Sequence, residues 1–148
     1  MKLLTSGFLT MMLLLPGQLL ANDEIYTGFW DNLAVSGYDT VAYFSQGEPV
    51  KGSKKYSYDY KGATWRFASQ ANLDSFVAQP EKYAPQFGGY CAWAVAHNVT
   101  YKADPNLWAI VDDKLYLNAD QTVQSKWQAD RDNQIANAEK NWPAVLDR

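Results

Sequence analysis

The chain has 148 residues, with 13 Lys and Arg against 16 Asp and Glu and a formal net charge of −3. That length suits one domain with a real core, and a mildly acidic chain without basic clusters argues against nucleic acid or an anionic membrane surface as partner. The only cysteine, Cys91, has no internal disulfide partner, and with the only histidine, His97, it bounds every metal, redox or nucleophilic reading.

Residues 1–21 read as a signal peptide. Lys2 supplies a short positive start, Phe8 to Leu15 an apolar run, Pro16-Gly17 a break, and Ala21 the residue before the cut. The run is too short to span a bilayer. The expected mature chain, 22–148, is exported to the periplasm with no membrane span. Asn22 to Leu33 reads as an N-terminal arm anchored by Phe29 and Trp30.

Asp39 is placed to N-cap a short helix over Thr40 to Phe44, which Gly47 closes. Tyr56, Tyr58 and Tyr60 alternate with polar residues, as in a strand with one aromatic face. Lys61-Gly62 is a turn, and Trp65 and Phe67 share one face of the return strand. Ser69 caps the next helix, whose apolar stripe is Leu73, Phe76 and Val77, and Pro80 ends it. Trp108 to Val111, then Asp112-Asp113, then Lys114 to Leu117 predict a second hairpin, with Trp108 and Ile110 buried on one face. A long helix is expected from about Asp120 to Trp142, stopped by Pro143.

The stretch Gln86-Phe-Gly-Gly-Tyr-Cys-Ala-Trp-Ala-Val-Ala-His-Asn98 holds both chemistry-bearing residues. Its Ala-rich run is apolar on every face and predicts a short buried helix entered through Gly88-Gly89, with Cys91 in the first turn. Asn98 stands where a helix end favours a left-handed residue, and Asn98-Val99-Thr100 matches the glycosylation triplet. Cys91 and His97 are six residues apart, which on one helix turns them about 600° and aims their side chains about 120° apart. They converge only if the helix ends between them. A closed zinc site wants four ligands and is disfavoured; an open Cu(I) site using Cys91 with His97 is the metal candidate. A buried structural thiol and a catalytic thiol are the other two readings of Cys91.

The motif Tyr60-x-Gly62-x-x-Trp65-x-Phe67-x-Ser69, followed by Phe76, Pro80 and Tyr83, resembles the core of the YHS domain. Gly37-Tyr38-Asp39, Tyr83-Ala-Pro-Gln-Phe-Gly-Gly-Tyr-Cys-Ala92, Asp104-Pro105, Leu115-Tyr-Leu-Asn118 and Asn141-Trp-Pro143 resemble the exported bacterial members more closely. The resemblance implies a single YHS-like domain over 22–148, and through the wider family a link to metal handling, with copper or iron as the ion. Cysteines associated with metal in that family fall at Ala68 and Asn72 here, so this chain lacks them.

Together these observations predict an α+β fold: a small antiparallel sheet from two β-hairpins, helices packed on one side and a long C-terminal helix. The leading function is an exported binding or accessory module, non-enzymatic, with a protein partner or a metal ion as ligand. The alternatives are a small thiol-dependent redox enzyme using Cys91 and a protein–protein interaction domain.

Overall fold

The computed structural model describes residues 21–148. The signal-peptide expectation covers residues 1–21, of which 1–20 lie outside the described residues.

The described residues begin with an arm, residues 21–34, and enter α1 (Thr40–Ser45) through Asp39, whose Oδ1 accepts from the N–H groups of Val41 and Ala42. The next segment is a hairpin of β1 (Ser53–Tyr60) and β2 (Ala63–Phe67). Lys61 and Gly62 turn it with φ of 49° and 77°, the paired left-handed conformation that suits the twist of a two-residue hairpin. β2 buries Ala63, Trp65 and Phe67 on one face, as the alternation predicts. α2 (Gln70–Ala78) starts at Ser69, which accepts from the Asn72 N–H, and presses Phe76 onto that face. The Phe76 ring centroid lies 4.8 Å from Trp65 and 5.0 Å from Phe67. Val77, expected in the same stripe, is exposed instead. A single turn, α3 (Pro80–Tyr83), follows.

α4 (Ala92–Ala96) is the short buried helix, and Asn98 beyond it adopts φ 63° as its position requires. β3 (Asp104–Val111) and β4 (Lys114–Asn118) form the second hairpin, turned by Asp112 and Asp113, both left-handed. Each hairpin is a two-stranded antiparallel sheet of its own. In the second, β4 is the buried strand, whereas Trp108 and Ile110 on β3 are only half-buried and pack at the edge of the core.

The helix expected from Asp120 to Trp142 is two helices, α5 (Gln121–Ala129) and α6 (Arg131–Asn141). Asp130 breaks it at φ −137° and ψ 40°, and its carboxylate accepts from the Asn133 side chain. Short polar side chains that bond locally compete with the helical backbone, and Asp-Arg-Asp-Asn concentrates three of them. α6, with 11 residues, is the longest helix described, and it lies at the C-terminal end. The fold is α+β, and no helix among the described residues is long and apolar enough to cross a membrane.

Two apolar cores result. The first joins Val41, Trp65, Phe67, Phe76, Leu115 and Leu117; the second joins Phe87, Tyr90, Val95, Tyr116, Trp127 and Val145. β4 divides them, because alternate residues of a strand face opposite ways: Leu115 and Leu117 enter one core and Tyr116 the other.

Candidate functional site

The Gly88-Gly89-Tyr90 motif seats the N-terminal arm. Phe87, Gly88 and Gly89 are three consecutive left-handed residues, with φ of 57°, 62° and 83°. A Cβ on Gly88 would collide with the Glu24 carbonyl oxygen, so only glycine lets the arm lie this close. The Gly88 carbonyl accepts from the Tyr26 N–H at 2.9 Å, and the Tyr90 hydroxyl donates to the Asp23 carbonyl at 2.8 Å. Lys61 pairs with Glu24, and the Asn22 N–H reaches the Leu146 carbonyl. Burial, then the nearby Asp23 and Tyr26, push the Tyr90 phenol up to about 12.

Cys91 is the N-cap of α4 rather than a member of its first turn, and it is only 1% exposed. Its N–H donates to the Tyr101 carbonyl at 2.9 Å, which fixes the backbone there. Its Sγ lies 3.7 Å from Asn118 Oδ1, which also accepts from the Trp93 N–H. Burial pushes the thiol pKa up, against the backbone N–H groups of Ala94, Ala119 and Trp93, which favour the thiolate. Desolvation wins because the sulfur is sealed from water.

His97 is the C-cap of the same helix and is exposed. Its ring stacks on Trp93 with centroids 3.8 Å apart, and Nδ1 contacts the Trp93 carbonyl at 2.7 Å. The candidate pair is therefore divided between interior and surface. No group of three or more His, Cys, Asp or Glu among the described residues is placed to hold a metal ion. The sulfur's polar neighbours are the N–H groups of Ala94, Ala119 and Trp93 and the side-chain oxygen of Asn118.

Asp39 does more than cap. Its fully buried carboxylate takes four hydrogen bonds: Oδ1 from Val41 and Ala42, Oδ2 from the Ala68 N–H at 2.8 Å and from Asn72 Nδ2 at 2.7 Å. The positions where the YHS resemblance would put metal-associated cysteines are thus occupied by two donors to one carboxylate. The cap was readable from local sequence; the link to Asn72, 33 residues away, was not.

Beside the arm lies an open cleft of about 720 Å³, lined among others by Tyr26, Phe29, Tyr90, Tyr101 and Lys102. Phe29 and Trp30, expected to anchor the arm, do the reverse. They are 89% and 93% exposed and pack on each other in an edge-on pair. Sequence reading assigned them inward because large aromatics are usually buried, and nothing local contradicted it.

Fold and site define a small α+β protein built on aromatic cores, with its N-terminal arm strapped over a glycine motif. Residues 41–87 match the YHS domain. No curated protein and no solved structure matches the chain. The matched stretch holds Ala68 and Asn72 and stops before Gly88, so it contains neither Cys91 nor His97.

Proposed function

We propose that this is an exported, periplasmic YHS-domain protein, with residues 22–148 as one domain, that works as a binding or accessory module and performs no catalysis. The sealed position of Cys91 carries this reading. A nucleophilic or redox thiol must be reached by its substrate and must ionise, and this one is buried with a raised pKa. His97, the natural base for such a thiol, faces solvent with its ring on Trp93.

Native alkylation with iodoacetamide tests it. Cys91 should react at least about 100-fold more slowly in folded than in unfolded protein, since reaction waits on an opening event. Reaction at the rate of a free thiol, with the fold intact, would make Cys91 a working group and turn the reading toward a thiol enzyme. Metal handling through Cys91 and His97 is decided by elemental analysis of protein from its native compartment. Stoichiometric copper or iron that disappears in Cys91→Ser would establish it.

A further inference from the structure

We propose that two copies of this chain pair by exchanging their Phe29–Trp30 knuckles, each knuckle filling the aromatic cleft of the other copy. The inference goes beyond the binding reading above and is independent of it: reactivity of Cys91 does not bear on it, and a monomer would leave the alkylation result standing.

The knuckle is rigid as well as exposed. Thr27 and Ala34 bridge its base, and Leu33 bridges to Thr64. Asn32 Nδ2 donates to the Gly62 carbonyl, the Thr64 N–H donates back to the Asn32 carbonyl, and Asp31 Oδ1 accepts from the Leu33 N–H. These bonds hold two aromatic rings in solvent, centroids 4.7 Å apart, already ordered for insertion. Buried aromatic anchors of this kind dominate the energetics of protein interfaces.

The acceptor adjoins the donor. Phe29 belongs to both the knuckle and the lining of the cleft, and at 89% exposed it borders the space without filling it. Adjacent donor and acceptor patches let one twofold axis satisfy both insertions, which closes a dimer and leaves no open end for a filament. The cleft's 720 Å³ falls within the roughly 300–1,000 Å³ of clefts that take ligands of this bulk.

Charge and area favour a second copy over a membrane. Asp31 flanks the knuckle and Lys102 lines the cleft, and neither joins an ion pair among the described residues, so exchange brings opposite charges together. With Asp23 and Lys102 the cleft carries one side chain of each sign, so it offers no basic cluster to anionic headgroups. Two aromatic side chains bury on the order of 400 Å². Two knuckles and the walls that receive them come to roughly 1,600 Å², the size of a standard specific interface.

Sedimentation velocity across a concentration series tests the proposal on the purified protein, with Trp30→Ala and Tyr101→Ala. Both side chains are exposed, and the Tyr101 carbonyl that holds Cys91 is unaffected by its substitution. Wild type should show a monomer–dimer equilibrium, and each variant should weaken association by at least about 30-fold. An equimolar mixture of the two variants should associate more strongly than either alone, because one intact knuckle then meets one intact cleft. A wild type that stays monomeric to about 1 mM overturns the proposal. So does a dimer indifferent to both substitutions, or a monomer that sediments with phosphatidylglycerol vesicles through Trp30.

Discussion

Cys91 keeps its proton further into alkali than a free thiol does, and that has a consequence for stability. Burial raises its pKa in the folded state, while in the unfolded chain it ionises near the ordinary value of about 8.5. Above that pH the unfolded chain binds fewer protons than the folded one, so stability falls as pH rises. Tyr90 and Tyr116, both pushed up to about 12 mainly by burial, and Tyr43, raised further, act with the same sign from about pH 10 upward. The thermal midpoint, followed by circular dichroism, should therefore decline from about pH 8.5 and more steeply beyond pH 10. Cys91→Ala should remove the early decline and leave the late one; an unchanged early decline would mean the thiol ionises equally in both states. At this scale the sequence named the right residues for scrutiny but not their exposure. Cys91 is held by Asn118 against its sulfur and by the Tyr101 carbonyl on its N–H, and those contacts come from other elements.

Among the elements, the arm depends most on a single position. Gly88→Ala would place a methyl group against the Glu24 carbonyl and force an L-residue into φ 62°. We expect a loss on the order of 2–3 kcal/mol, from backbone strain plus the clash. We also expect cleavage by a nonspecific protease to begin in residues 22–34, where the wild type is held by the Gly88, Tyr90 and Leu146 contacts. A variant with wild-type stability and an equally protected arm would show that the arm does not need this approach. Elements whose causes are local were legible in advance: the Asp39 and Ser69 caps, the Lys61-Gly62 turn, the left-handed Asn98. The Asp130 break was missed, because the apolar spacing of Val123, Trp127, Ile135 and Ala138 runs on across it. The seating role of Gly88-Gly89 was missed for a different reason. Its cause is a carbonyl 64 residues earlier, Glu24 against Gly88, with no trace in the local pattern.

For the whole molecule, the decisive feature is that the first core is not closed by the stretch that matches the YHS domain. Residues 41–87 supply Trp65, Phe67 and Phe76, but Ile25, Ala34, Val35, Leu115 and Leu117 of the same core lie outside them. A fragment of residues 41–87 should therefore show no cooperative thermal transition and no near-ultraviolet circular dichroism from Trp65, whereas 22–148 should show both. A sharp transition in the fragment would make the remaining core residues dispensable. The arm gives this dependence an order in time. During synthesis it is among the first described segments to emerge, but Tyr26 waits for Gly88, and Asn22 waits for Leu146, 124 residues later. Contacts this distant in sequence form slowly, because a long loop must close before they return any energy. The start of the described chain is thus made early and placed late, and an unfinished chain has nowhere to put it.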